Sequence, residues 1–316
     1  MAAPPYGPAD ASKAPRYTGI RTFARCPYVD DPAGVDVGFV GVPFDTATSY
    51  RSGARFGPEA LRSGSALLRP WHTALEVDVF EGRSVADLGD LAVTPGNAEK
   101  TAGQIADGIG ALLRAGVTPI VLGGDHSIVL GELRAHAAAA DEPLALVLLD
   151  AHADTWDQYY GERYFHGTPF RRALEEGLLA PERSFLAGMR GPLYAASDLG
   201  DAREMGFEIV QGDALRELSP SEYGRRVRER VGDGPAFFSF DIDVLDPAFA
   251  PGTGTPEVAG LLPHEALAFI RSLAGLRFSG FDVVELSPPY DNAGQVTALL
   301  GANIAYEFLA LTALAS

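Results

Sequence analysis

The stretch Leu144-Ala145-Leu146-Val147-Leu148-Leu149-Asp150-Ala151-His152-Ala153-Asp154 runs without interruption from an apolar segment into three polar residues separated by alanines. A short apolar run with no polar break predicts a strand buried on both faces, the kind found in a parallel sheet covered by helices. Asp150, His152 and Asp154 then fall at the carboxyl edge of that sheet, where open α/β sheets bind their ligands. Alternate residues of an extended chain share a side, so the spacing predicts that the three side chains project together.

The device recurs elsewhere in the chain. Ala236 to Phe240 leads into Asp241-Ile242-Asp243, Thr118 to Leu122 leads into Gly123-Gly124-Asp125-His126-Ser127, and another apolar run ends in Val284-Glu285-Leu286. Taken singly, a buried histidine reads as a hydrogen-bonded core residue, and an aspartate after a strand reads as a helix cap or turn former. Taken together, these groups would place unpaired charges at the ends of buried strands, which is costly unless a cation compensates them. His126, Asp150, His152, Asp154, Asp241 and Asp243 form a mixed imidazole and carboxylate set suited to two hard divalent cations around one activated water.

Outward from these clusters, strand-like runs alternate with helical patterns. Strands are predicted at 35–43, 118–122, 144–149, 184–188, 208–210, 236–240 and 277–286, and helices at 57–68, 97–114, 127–140, 195–205, 219–231, 263–273 and 293–311. Asn97 is placed to cap its helix, and Ser219-Pro220-Ser221-Glu222 has the form of a capping box with proline in the first turn. Such alternation predicts an α/β fold with a mostly parallel sheet between helical layers. No repeat or linker divides it, so residues 35–316 read as a single catalytic domain. Residues 1–34, rich in proline and alanine, read as an N-terminal arm that frays or packs at a subunit interface. The segment 154–170, with Trp156, Tyr159, Tyr160, Tyr164 and Phe165, reads as a long functional loop, too aromatic for disorder.

Composition narrows the function classes. A chain of 316 residues with 47% hydrophobic content can bury a substantial core. Its single cysteine, Cys26, excludes an internal disulfide and suits a reducing, cytoplasmic compartment. Nowhere do eighteen apolar residues follow one another, as a membrane span would suggest. The 42 acidic against 25 basic residues leave a net charge of −17, which repels nucleic acid and favours a small cationic substrate.

The motifs Gly-Gly-Asp-His-Ser (Gly123 to Ser127), Asp-Ala-His-Ala-Asp (Asp150 to Asp154), His-Gly-Thr-Pro-Phe (His166 to Phe170) and Ser-Phe-Asp-Ile-Asp-Val-Leu-Asp-Pro (Ser239 to Pro247) resemble those of the ureohydrolase family of arginases, agmatinases and guanidino-acid hydrolases. Ser52 to Pro58 and Ala250 to Pro256 extend the resemblance, which runs from about Val35 to the C-terminus. It implies a three-layer α/β/α arginase-like fold, two Mn2+ ions, hydrolysis of a guanidinium group to urea and an amine, and a homo-oligomer, trimer or hexamer. It further implies one manganese on His126, Asp150, Asp154 and Asp241, and a second on His152, Asp150, Asp241 and Asp243. His166 matches the family's proton-shuttling histidine, and Glu285 the carboxylate that accepts the substrate guanidinium.

Within the loop after Asp154, Trp156, Asp157, Tyr160 and Glu162 are candidate substrate contacts, with Asp157 or Glu162 placed to attract the distal ammonium of agmatine. Hydrolysis of agmatine to putrescine and urea is the leading expectation. Cleavage of a guanidino acid such as 4-guanidinobutyrate or 3-guanidinopropionate is the alternative, and a deacetylase-like amide hydrolase or a non-catalytic binding protein ranks behind both. Arg51 and Arg55 are expected to be structural, because a cationic substrate disfavours nearby arginines unless its distal end is a carboxylate.

Overall fold

The computed structural model describes residues 6–315, so the first five residues of the N-terminal arm, and Ser316, lie outside the described residues. Its strands are β1 (Val37–Gly41), β2 (Trp71–His72), β3 (Val77–Asp78), β4 (Val85–Asp90), β5 (Thr118–Leu122), β6 (Ala145–Leu149), β7 (Phe185–Met189), β8 (Glu208–Gln211), β9 (Ala236–Asp241) and β10 (Phe278–Val284). Its helices are α1 (Gly57–Gly64), α2 (Ala98–Arg114), α3 (Val129–Ala140), α4 (Pro169–Glu175), α5 (Asp198–Glu204), α6 (Gly212–Arg216), α7 (Pro220–Val231), α8 (Pro263–Arg271) and α9 (Val296–Leu314). Eight strands form one sheet in the order β4-β1-β5-β10-β9-β6-β7-β8, and β2 and β3 make a separate antiparallel hairpin. Every pairing in the large sheet is parallel.

The apolar runs are continuous because both faces of the sheet are covered. Phe39, Leu122, Val147, Leu149, Phe238, Phe240 and Phe281 join one core with apolar residues of α1, α7, α8 and α9. The alternate residues Val40, Val121, Leu146, Leu148 and Phe237 face the opposite way and pack with α2, α3 and α4. The architecture is the three-layer α/β/α arrangement expected. Helix α9 is apolar on nearly all sides because it lies within the core.

Local signals mostly act as read. The Asn97 side chain accepts the Lys100 amide at 2.8 Å, and Ser219 Oγ accepts that of Glu222 at 3.2 Å. The second half of the Ser219 capping box does not form, because both Glu222 carboxylate oxygens bind Arg225. Five elements had no legible signal. Strand β4 is interrupted by Asp87 and Gly89, the β2-β3 hairpin strands are two residues each, and α4 and α6 are short. The segment read as a loop over 154–170 ends earlier, at Thr168, where Pro169 starts α4.

Asp87 is buried inside edge strand β4 because it organises the N-terminal region. Arg62 of α1 grips it with two hydrogen bonds of 2.9 and 3.0 Å and reaches Asp90 at 2.6 Å. The Phe23 amide donates to the same carboxylate at 2.7 Å, and the Phe23 ring stacks on Phe39 at 3.9 Å. Main-chain bonds from Val29 to Asp87 and from Asp87 to Pro27 then lay the arm along β4. Breaking a buried ion pair from one side leaves an uncompensated charge, so Arg62→Met is expected to lower stability by about 3–5 kcal/mol, read by urea denaturation. An unchanged midpoint would contradict this role for Asp87.

Candidate metal centre and substrate cavity

Strands β5, β10, β9 and β6 are neighbours in the middle of the sheet, and each ends in one of the polar clusters. Asp150 directly follows β6, Asp241 is the last residue of β9, Glu285 directly follows β10, and His126 opens a 3-10 turn just beyond β5. The glycines before His126 permit close packing: a Cβ on Gly124 would stand 1.9 Å from the Phe44 carbonyl oxygen. Asp125, although inside the motif, is not directed to the centre. It accepts the amides of Ser127 and Ala47, both at 3.0 Å, and ties the 45–53 loop to the strand end. Burial and the Glu285 charge push its carboxyl up to about 7.

The expected extended geometry of the clusters is not what converges them. Asp154 has φ 49° and Asp243 lies in a 3-10 turn, so neither cluster continues its strand. Instead the Asp150 carboxylate accepts the His152 amide at 2.6 Å, and Asp241 accepts that of Asp243 at 2.8 Å. Each Asp-x-His or Asp-x-Asp unit is an aspartate turn, in which the first side chain folds the backbone back and brings the third residue alongside.

Two groups of ligand atoms result, His126 with Asp150 and Asp154, and Asp150 with His152 and Asp243, with the atoms of each group mutually within 4.8 Å. Asp150 belongs to both. His126 Nδ1 stands 3.1, 2.9 and 3.4 Å from oxygens of Asp150, Asp154 and Asp241. His152 Nδ1 lies 3.0 Å from Asp243 and 3.6 Å from Asp150. Although crowded, His126 Nδ1 and Asp150 Oδ2 are buried without an aligned hydrogen-bond partner. Buried polar atoms without partners are rare, and atoms converging on one point have the character of ligands awaiting a cation.

The electrostatics agree. Burial opposes a charge on His126, but Asp150, Asp154 and Asp241 outweigh it and raise its pKa well above the ordinary imidazole value. His152 is raised in the same way by Asp243 and Asp150. Burial, reinforced by Asp243 and Asp150, lifts Asp241 well above the carboxylate range, and burial with Asp150 raises Asp154. Without cations the cluster approaches neutrality only by holding protons. These residues fit a pair of divalent ions, which would displace those protons.

The shell behind the ligands prepares His126 for that role. Ser239 Oγ donates to Asp282 Oδ1 at 2.6 Å and so offers a lone pair to His126 Nε2 at 2.9 Å. The hydroxyl proton being committed, His126 keeps a proton on Nε2, so that the proton a cation would displace is the one on Nδ1, facing the centre. Ser239 is two residues before Asp241 on β9, and period-two alternation could have marked it. Asp282 had no such signal.

Glu285 is buried, with φ 61°, a left-handed conformation that a non-glycine residue adopts only when its surroundings enforce it. Its Oε1 accepts the His126 amide and His166 Nδ1, both at 2.9 Å, while Oε2 has no partner. His166 is buried rather than solvent-facing. Its Nε2 meets the Ser49 amide at 3.0 Å and the Ser49 hydroxyl at 2.7 Å. Burial disfavours charge on His166, but the neighbouring Glu285 carboxylate raises its pKa overall.

A cavity of about 680 Å³ opens over the centre, with His152, Asp154, Asp241 and His166 on its floor. Trp156 and Tyr160 line it, joined by Tyr159, whose hydroxyl meets that of Tyr194 at 2.7 Å across the mouth. Asp157 and Glu162 do not line it, which corrects the expectation that either attracts a substrate ammonium. Asp157 is bonded to Arg172 at 2.6 Å, and the Tyr159–Glu162 turn, with left-handed Tyr160 and Gly161, leaves Glu162 exposed. The two arginines also separate. Arg55 is structural, paired with Asp45 at 2.5 Å, whereas Arg51 is on the cavity wall. Tyr194 and Asp198 also line the cavity, and the sequence held no pattern that marked them.

A family model described as the arginase family matches residues 35–311. The guanidinopropionase of Pseudomonas aeruginosa is 44% identical over 307 residues, covering 97% of this chain and 96% of that protein. The mitochondrial agmatinase of Gallus gallus is 43% identical over 302 residues, covering 96% and 88% respectively. Among solved structures, the proclavaminate amidino hydrolase from Streptomyces clavuligerus superposes with a TM-score of 0.90 at 42% identity, covering 96% of this chain and 100% of that one.

Ser239→Ala is expected to weaken Mn2+ binding about 10–100-fold, measured by calorimetry, because His126 loses the group that fixes its tautomer. Since the raised pKa values of His126 and His152 keep protons on the ligands, affinity for Mn2+ should fall as pH is lowered, with proton release on binding. Binding that is indifferent to pH between 6 and about 8 would contradict this.

Proposed function

Because this chain belongs to the arginase family, we propose that it cleaves the guanidinium group of a small guanidino compound to urea and an amine, using two Mn2+ ions. The observation that carries the reading is the convergence of unpartnered buried ligand atoms from adjacent strands beside a carboxylate oxygen that is itself free, Glu285 Oε2. One ion would be held by His126, Asp150, Asp154 and Asp241, and the other by His152, Asp150, Asp241 and Asp243. Bound there, the pair supplies a water acidified enough to attack a resonance-stabilised carbon near neutral pH.

The protein's own groups do the rest. Glu285 Oε1 is held by His126 and His166, so Oε2 is left to accept a guanidinium N–H, a planar and directional contact. An amine leaves only after it gains a proton, and His166 is the titrating group at the cavity floor. In the charged ring Nε2 donates to the Ser49 hydroxyl instead of accepting from the Ser49 amide. The aromatic side chains of Trp156, Tyr159 and Tyr194 screen this chemistry from bulk water.

Agmatine and the guanidino acids are the two substrate classes that this reading admits. A cytoplasmic homo-oligomer, trimer or hexamer, acting on a small molecule rather than nucleic acid or membrane, completes the proposal.

Manganese-loaded protein should release urea from a panel of guanidino compounds, assayed colorimetrically, and lose the activity on chelation. His166→Asn is expected to reduce kcat by about 10²–10⁴-fold with metal content unchanged. Full activity in that variant would remove His166 from the chemistry.

A further inference from the structure

Resting on the amidinohydrolase reading above, we infer that Arg51 binds the distal end of the substrate and that this end is a carboxylate. The substrate class is thus a guanidino acid, not a guanidino amine. Arg51 shares the cavity wall with Tyr50, Trp156 and Tyr159, above the floor that carries His166 and Asp154. Its guanidinium stands over the Tyr50 and Tyr290 rings at 5.3 and 4.9 Å, and it has no carboxylate partner among the described residues. Aromatic faces fix a guanidinium in place while leaving its N–H groups free to donate.

The other arginines near the cavity are already engaged. Arg55, four residues on, is paired with Asp45, and Arg190 donates to the carbonyls of Asp243, Glu257 and Val258 at 2.6, 2.8 and 3.0 Å. Arg51 is therefore the guanidinium on that wall still available for an anion. In a chain with a net charge of −17, a cation without a carboxylate partner at a substrate cavity runs against the background. It would repel a distal ammonium and attract a carboxylate.

The backbone around Arg51 is anchored to the reacting centre. Ala47 donates to Asp125 at 3.0 Å, Ser49 to His166 at 3.0 Å and Gly53 to Asp45 at 2.7 Å, so the 47–53 loop is pinned on both sides of Arg51. That holds the backbone of Arg51 in place relative to His166, with Trp156 and Tyr159 on the same cavity wall to cover the methylenes of a substrate. The competing site for an ammonium is the acidic pair Asp198 and Glu257 on the same cavity. Asp198 Oδ2 already accepts the amides of Tyr194 and Ala195, at 3.0 and 3.3 Å, which commits it to shaping its loop.

The test compares 3-guanidinopropionate, 4-guanidinobutyrate and agmatine on manganese-loaded full-length protein and on Arg51→Met and Arg51→Lys, with metal content and thermal unfolding checked for each variant. The wild-type protein is expected to prefer an acid by kcat/KM. Arg51→Met should raise KM for the acid about 10–100-fold, more than it lowers kcat, and cut the acid-to-agmatine ratio by at least about tenfold. Arg51→Lys should recover part of that ratio. Calorimetry gives a readout independent of turnover: 4-aminobutyrate, the product that keeps the carboxylate, should bind Arg51→Met at least about tenfold more weakly. A preference for agmatine, or a ratio unmoved in Arg51→Met, overturns the assignment while leaving the hydrolase reading intact. Absence of urea from every compound overturns the hydrolase reading and this inference with it.

Discussion

Crowded buried carboxylates that cannot all be charged without a counterion are the constraint on which the rest of this structure depends. Asp150, Asp241, Asp243 and Glu285 are buried at the ends of central strands, with Asp154 partly buried beside them. The penalty for each ion so placed is several kcal/mol unless compensating charge is supplied. The raised pKa values of His126 and His152 favour protons at these points, and divalent cations would replace them with greater charge. A fold that carries this cost at its centre must hold the ligands rigidly, and the shell behind them does so. Ser239 and Asp282 orient His126, aspartate turns fold back the two clusters, and Asp125 secures the loop that reaches His166.

That loop links His166 to the cavity wall. Residues 45–53 hold Nε2 of His166 through Ser49, and through Gly53 and Asp45 they fix the backbone from which Arg51 extends. The residue that holds His166 and the arginine on the cavity wall are therefore parts of one short segment. Across the cavity, Tyr159 and Tyr194 join two loops distant in sequence. Most of the floor is built just beyond strand ends, whereas the walls are loops, the usual division between shared chemistry and individual specificity.

Much of the centre was legible in the sequence, because apolar runs ending in Asp and His state both the strand and its functional edge. The candidate ligands do converge, but not by the geometry expected. Period-two projection was expected to align Asp150, His152 and Asp154, whereas turns made by the aspartates themselves bring them together. The acidic residues of the aromatic loop were misplaced for a related reason. Asp157 looked free in the sequence and is taken by Arg172, a partner that only the packing of α4 puts within reach. Arg51 and Arg55 read alike until the structure gave one of them a carboxylate and the other the cavity.

By itself, the sequence determined the layered α/β class, the strands that end in polar clusters, and the residues of those clusters, since these follow from local apolar runs and the chemistry of the residues beside them. Tertiary structure decided that β10 and β9, late in the chain, insert between β5 and β6, so that clusters far apart in sequence meet at one point. It also decided which polar groups are left without a partner there. Strand order and partnership depend on packing between distant segments, and no local pattern records it.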